Sequence, residues 1–259
     1  MSSERFLDDK NLKKLDKKIN SIIDRIGKDI KTEGEVFDKY TLLTLDKLIS
    51  NKMLNTIDFP ISTGKEGNIF RATTPDNKFV AIKIYRISNS TFKHISSYIV
   101  GDPRFQSLRK THKNIIYAWT KKEYKNLLRL KEVDISAPKP IICMNNVLVM
   151  EYIGNKNRSA PLLKDIKLEK PKKTFDEIIE FIKKMYQKAE LVHADMSAYN
   201  ILIYKNKPYL IDLGQAVLTN HPNSHDFLKR DITNIVNYFK KYNIIEDEIK
   251  IYKNIIKKD

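Results

Sequence analysis

The stretch "LVHADMSAYNILIYKNKPYLIDLGQ", residues 191–215, sets two carboxylates into what otherwise reads as a short buried hairpin. Asp195 follows His193 by two positions and precedes Asn200 by five. Asp212 closes the apolar run Tyr209-Leu210-Ile211 and is followed at once by Leu213-Gly214. An acid at the end of an apolar strand is costly unless a cation or a proton donor meets it. Whatever meets these two acids has to come from elsewhere in the chain.

Upstream, "TIDFPISTGKEGNIFRATTPDNKFVAIKIYRI", 56–87, alternates apolar and polar residues around turn signals at 64–68 and 75–77. That is the pattern of three antiparallel strands. Residues 88–111 are polar, with Gly101-Asp102-Pro103 in their middle, and read as a loosely held loop. A long helix follows in "NIIYAWTKKEYKNLLRLKEV", 114–133, then two strands, "KPIIC" and "VLVMEYI", separated by Met144-Asn145-Asn146. After Gly154 the texture is mostly helical, most clearly over 174–190, with two closing helices in 224–242 and 245–257. The first fifty residues read as two Lys-rich helices, an extension or cap, with Gly27 as the stop signal of the first. The order is α+β: five strands with one helix inserted, then helices around a small hairpin. It predicts two lobes, 51–153 and 154–259, behind an N-terminal helical extension, 1–50.

The 259 residues carry a single cysteine, Cys143, which excludes an intrachain disulfide and a cysteine zinc site and suits a reducing, cytoplasmic setting. No run approaches the ~18 apolar residues of a membrane span, and the opening "MSSERFLDDKNLKKLDKK" lacks the apolar core of a signal peptide. No membrane partner is expected. The formal net charge of +16 suits contact with a polyanion such as ribosomal RNA. It equally suits a Lys-rich solvated surface from an AT-rich genome, and no RNA-reading signature decides between the two.

The turn "STGKEGN", 62–68, spaces glycines so that backbone N–H groups can approach phosphate oxygens, yet with only Gly64 and Gly67 it also reads as a plain hairpin turn. Lys83 is more specific. "VAIKIY" sets a lysine inside an apolar strand, and a lysine is rarely buried without a partner. V-A-I-K is the third-strand pattern of protein kinases, where the ammonium holds the α- and β-phosphates of ATP. On the following helix Ile116, Trp119, Glu123, Leu127 and Leu130 share one stripe, so Glu123 is an acid on the apolar face and the natural partner of Lys83. Asp195 and Asn200 then match the D-x-x-x-x-N spacing of a kinase catalytic loop, and Asp212-Leu213-Gly214 stands where D-F-G belongs. Asp195 takes the role of base toward a hydroxyl. Asn200 and Asp212 become ligands for Mg²⁺ or Mn²⁺, hard cations suited to oxygen donors.

With these elements in hand, the chain resembles the RIO family of atypical serine protein kinases and ATPases, and within it the first subfamily. "STGKEGNIF", "AIKIYR", "LVMEYIG", "APLLKD", "LVHADMSAYNIL" and "YLIDLGQAV…HP…FLKRD" carry the likeness across about 56–240, and the compact length is similar to archaeal members. The first fifty residues lack the strand pair that the winged helix of the second subfamily needs. The resemblance implies a two-lobed protein-kinase-like fold. It implies ATP with its adenine held by hinge backbone at Glu151 and Ile153, behind Met150, and with Ser62, Thr63 and Lys65 near the phosphates. It further implies serine autophosphorylation, Asp212 as a phosphate acceptor in an ATPase switch, and a role on the pre-small-ribosomal-subunit particle. Ser88, Ser90, Ser96, Ser97 and Ser107, beside the phosphate-binding strand, are the candidate autophosphorylation sites.

Departures from ordinary protein kinases are clear. The loop is His-Ala-Asp, without the arginine that reads activation-loop phosphate, and no A-P-E occurs in the 47 residues after Asp212. The fold is therefore expected to be truncated, without an activation segment. Two other readings stay in view. A small-molecule phosphotransferase of the aminoglycoside-kinase type would carry an acidic pocket for a cationic substrate. A catalytically weak binding scaffold would have lost Lys83, Asp195 or Asp212, and all three are present.

Overall fold

A computed structural model of the chain describes residues 38–64, 67–87, 95 and 111–257. The first predicted helix, Lys65 and all five candidate serines of 88–111 lie outside the described residues. The described part begins with helix α1, Lys39–Ser50, whose N-terminus is closed by the Asp38 carboxylate accepting from Tyr40 N and Thr41 N. Strands β1 (Thr56–Thr63), β2 (Gly67–Thr73) and β3 (Phe79–Tyr85) follow, then helix α2, His112–Glu132, then β4 (Pro140–Met144) and β5 (Val147–Glu151). These strands form one antiparallel sheet in the order β1-β2-β3-β5-β4.

The apolar strand β3 is buried along its length because both of its faces are covered. Val80, Ile82 and Ile84 join Phe70, Val147 and Val149 in a core closed by Leu42, Leu45 and Leu48 of α1. By the two-residue period of a strand, Ala81, Lys83 and Tyr85 face the other way, toward α2. Each α1 leucine so buried contributes about 1.5–3 kcal/mol, and α1 forms a layer over this face of the sheet.

The second half is mostly helical: α3 (Pro171–Gln187), α4 (Ser224–Phe239) and α5 (Glu248–Ile256), with short 3-10 turns at Leu163–Asp165 and Lys240–Tyr242. The closing helices are thus shorter than the sequence pattern suggests. A left-handed Asn243 ends the first, and the Asp247 side chain caps the second. The hairpin β7 (Ile201–Tyr204) and β8 (Lys207–Leu210) turns through Lys205 and Asn206, both at positive φ, as a two-residue hairpin loop requires. A ribbon of β6 (Leu191–Val192) and β9 (Val217–Leu218) pairs the chain just before Asp195 with the chain just after Asp212. Helix α4 starts six residues after β9, so no extended activation segment intervenes. Among the described residues no helix is long and apolar enough to cross a membrane.

The glycine turn earns a different explanation from the one its spacing suggests. A Cβ on Gly67 would stand 2.2 Å from the Ile84 carbonyl oxygen, whereas one on Gly64 would meet nothing nearer than the Gly67 oxygen at 3.3 Å. Gly67 is therefore required by the closeness of β2 to β3. Gly67→Ala should cost about 1–3 kcal/mol in urea unfolding, the range for an overpacked site, while Gly64→Ala should stay within about 0.5 kcal/mol.

Candidate active site

The question raised by Asp212 is answered by β3. Lys83 Nζ donates to Asp212 Oδ1 at 2.7 Å and to Glu123 Oε1 at 2.9 Å. Lys83 and Glu123 are nearly fully enclosed, while the Asp212 side chain keeps 38% of its surface open. Burial acts to lower the Lys83 pKa, but the Asp212 and Glu123 carboxylates outweigh it and hold the ammonium well above its ordinary value. Burial likewise acts to raise Asp212, and Lys83 more than reverses it, keeping that acid ionised below the usual carboxylate range.

Helix α2 holds both ends of this arrangement. Glu123 grips Lys83, and one turn further Asn126, fully buried, donates to the carbonyls of Leu213 at 2.8 Å and Ala216 at 3.3 Å. One turn earlier, Trp119 lies so close to Gly214 that a Cβ there would stand 3.0 Å from the indole nitrogen. The glycine after Asp212 is thus fixed by the packing of α2 against the loop.

Asp195 is placed by a second buried acid that sequence reasoning gave no role. Asp231 of α4 accepts from Ala194 N at 2.8 Å and Met196 N at 2.9 Å, and Arg230 donates to the Ala194 carbonyl. These bonds hold Ala194 at φ 66°, a conformation that costs a non-glycine residue energy and persists only when its surroundings over-determine it. His193 Nε2 lies 3.1 Å from the Ile211 carbonyl, tying the two acid-bearing segments together. Asn200 Nδ2 donates to the Asp195 carbonyl at 2.8 Å and to Asp195 Oδ2 at 3.0 Å, which reserves the amide oxygen of Asn200 for a cation. Burial pushes the Asp195 carboxyl above its ordinary value, against the opposing influence of His193 and Asn200.

A cavity of about 370 Å³ opens beside the triad. Ser62, Lys83, Glu123, Met150, Glu151, Ile153, Asn200 and Asp212 all line it. Two residues do not fit the expected wall. Thr63 does not line it, because Thr63 follows Ser62 in the strand and faces the other side, whereas the irregularity between Pro60 and Ser62 brings Ile61 to the cavity. Asp195 does not line the cavity itself but is hydrogen-bonded to Asn200, which does. Tyr199, two-thirds exposed, and Ser159 also line the cavity without having been foreseen. The wall is more acidic than a basic chain leads one to expect, with Glu123, Glu151, Asp165 and Asp212 against Lys83. Glu123 and Asp212 are paired with Lys83, and Asp165 with Lys164.

The donor set suits a hard cation that keeps most of its ligands from water and phosphate. Asp212 offers a partly open carboxylate and Asn200 an amide oxygen. No cluster of three or more His, Cys, Asp or Glu able to cage a metal occurs among the described residues.

A lysine–glutamate pair under an antiparallel sheet, a D-x-x-x-x-N loop and a D-L-G turn around one cavity define a protein-kinase-like phosphotransferase. The RIO domain model matches residues 68–251, and the chain belongs to the RIO family of serine/threonine-protein kinases. It is 42% identical over 232 residues to the RIO-type serine/threonine-protein kinase Rio1 of Methanocaldococcus jannaschii, covering 89% of this chain and 79% of that one. It is 44% identical over 190 residues to the Rio1 of Thermoplasma acidophilum, covering 73% of this chain and all of that one. The human serine/threonine-protein kinase RIO1 is 36% identical over 82% of this chain, which spans 38% of the human protein. In fold, the chain is similar to the Rio2 kinase of Chaetomium thermophilum, with a TM-score of 0.70 at 21% identity over 96% of this chain and 77% of that one. It is also similar to that kinase's ADP/Mg²⁺–phosphoaspartate complex, with a TM-score of 0.66 at 19% identity over 92% and 74%.

Asp231→Asn leaves one acceptor where two N–H groups need one each. An unsatisfied buried donor costs about 1–3 kcal/mol, so the variant should melt earlier and lose kcat while its ATP affinity, measured by calorimetry, stays within about twofold.

Proposed function

We propose that the cavity binds Mg·ATP and that the chain, with 51–153 and 154–259 as its two lobes, passes the γ-phosphoryl group to a serine hydroxyl or to Asp212. The observation that carries this reading is the Lys83 ammonium in the wall of the cavity, held between Glu123 and Asp212. The adenine would lie along the backbone of 150–153 with Ser62 toward the phosphates, and by its place in the sequence Lys65 is proposed as a further phosphate contact. Asn200 and Asp212 would hold the metal, which would supply charge neutralisation to the phosphates; an oxygen site of this kind would accept Mn²⁺ as well. With nucleotide bound, the Lys83 ammonium would serve phosphate oxygens as well as its two carboxylates.

Two acceptors follow from the two acids. In the kinase branch Asp195 takes the proton of a serine hydroxyl as its oxygen bonds to the γ-phosphorus, and ADP leaves with the bridging oxygen. Asp195 begins this step ionised, and its raised pKa makes it the better base. In the switch branch the Asp212 carboxylate, kept ionised by Lys83, is the nucleophile. ADP again leaves, and water later cleaves the acyl phosphate to release phosphate. The Rio2 complex crystallised with ADP, Mg²⁺ and phosphoaspartate supports this branch.

The setting we infer is cytoplasmic maturation of the small ribosomal subunit. The net charge of +16 supports a ribosomal RNA contact through the Lys-rich first fifty residues and "RFQSLRKTHK", 104–113.

Lys83→Met should lose ~10²-fold or more in kcat. Asp195→Ala should lose rate yet keep Mg-dependent ATP affinity, whereas Asp212→Ala should lose the Mg-dependent part of that affinity in calorimetry. Equal affinity losses in both would sink the division of roles. The acid limb of kcat/KM should lie above the ordinary aspartate range, because burial raises the carboxyl that must be ionised.

Binding to a small-subunit rRNA fragment should weaken with salt at a log–log slope of about −0.7 to −0.9 per phosphate contacted. Charge reversal at Arg104, Arg109, Lys110 and Lys113 should flatten that slope. A flat slope in the unmodified chain would assign the charge to composition alone.

A further inference from the structure

Tyr85 is fully buried at the end of β3, and the phosphoryl-transfer steps above do not use it. It lies two residues after Lys83, so the two side chains rise from the same face of the strand. Its hydroxyl donates to Glu123 Oε2, while Lys83 Nζ takes Oε1. Its ring stands beside the ammonium, with Lys83 Nζ 4.9 Å from the ring centroid. One side chain thus meets both members of the pair, the acid through its hydroxyl and the cation through its face.

We propose that Tyr85 is a positioning residue for phosphoryl transfer: its hydroxyl fixes the rotation of the Glu123 carboxylate and, through it, the place of the Lys83 ammonium. This rests on the reading of Lys83 as the phosphate ligand. A buried tyrosine hydroxyl must find some partner, and an ordinary core tyrosine usually finds a backbone carbonyl. Here the partner is the acid that orients the lysine.

The surroundings leave Tyr85 little freedom. Its backbone N donates to the Asn146 carbonyl at 2.9 Å, and its own carbonyl accepts from Asn146 Nδ2 at 2.8 Å. Asn146 Nδ2 also reaches Thr41 Oγ1 on α1 at 2.7 Å, so the outer helix helps to hold the end of β3. On the other side the hydroxyl would be 3.2 Å from a Cβ placed on Gly214, beside the loop that carries Asp212. Burial first, then the Glu123 charge, pushes the phenol pKa well above its ordinary value, and Lys83 does not reverse it. The hydroxyl therefore remains a donor throughout the working pH range. The carboxylate it holds has both oxygens committed, one to Tyr85 and one to Lys83.

Tyr85→Phe removes one oxygen and keeps the ring beside the ammonium. In the full chain with Mg·ATP, kcat should fall about 10- to 100-fold, the scale of a misaligned electrostatic group. KM for ATP should move less than about threefold, since the loss falls on alignment. In a Glu123→Gln background the same substitution should cost less than about twofold, because its effect runs through Glu123. Tyr85→Met, which also lacks a donor, should behave alike. If Lys83→Met kept its turnover, the reading beneath the proposal would fail with it. If Lys83→Met were inactive while Tyr85→Phe turned over like the parent, the proposal alone would fail. Equal losses in both backgrounds, or the failure of both Tyr85 variants to fold, would make Tyr85 a structural residue and overturn it.

Discussion

The ammonium of Lys83 is shared by two carboxylates that are distant in sequence, Glu123 from α2 and Asp212 from the turn after β8. Burying a lysine in a strand is tolerable only with such partners, and removing one partner from a buried ion pair costs about 3–5 kcal/mol. The architecture follows from meeting that condition. Helix α1 covers one face of β3 so that the other face can be given to Lys83 and Tyr85. Helix α2 must lie close enough for Glu123 to reach, and its Trp119 and Asn126 then hold the Asp212 loop.

Much of this was legible in the sequence, for a physical reason. Lys83, Glu123, Asp195, Asn200 and Asp212 violate local expectation: each is a charged or polar group in apolar periodicity or at fixed spacing from another. Violations of pattern are visible in one dimension. Strand and helix types were legible too, because turns such as Lys205-Asn206 and Asn145-Asn146 carry their own chemistry.

What escaped was contact without pattern. Asp231 binds the backbone of Ala194 and Met196 from 37 and 35 residues away, and Asn126 binds Leu213 from 87 away. Nothing in the spacing of an aspartate or an asparagine on a helix announces a distant carbonyl or amide. Tyr85 was hidden for the opposite reason, since a tyrosine in an apolar strand breaks no rule. The ribbon of Leu191–Val192 with Val217–Leu218 is too short to show alternation. Ser62 and Thr63 are consecutive in β1 and so face opposite sides, while the irregularity between Pro60 and Ser62 adds Ile61 to the cavity wall, an addition that no residue identity foretells.

The central claim is that the Lys83–Glu123–Asp212 arrangement makes this chain an ATP-consuming phosphotransferase whose acceptors include its own residues. The most direct measurement incubates the purified chain with Mg²⁺ and γ-labelled ATP, without added acceptor, and follows free phosphate and protein-bound label together. The account predicts release of phosphate, with label divided between hydroxylamine-resistant, acid-stable phosphoserine and a hydroxylamine-sensitive acyl phosphate at Asp212. A chain that binds Mg·ATP but neither releases phosphate nor acquires label would contradict it.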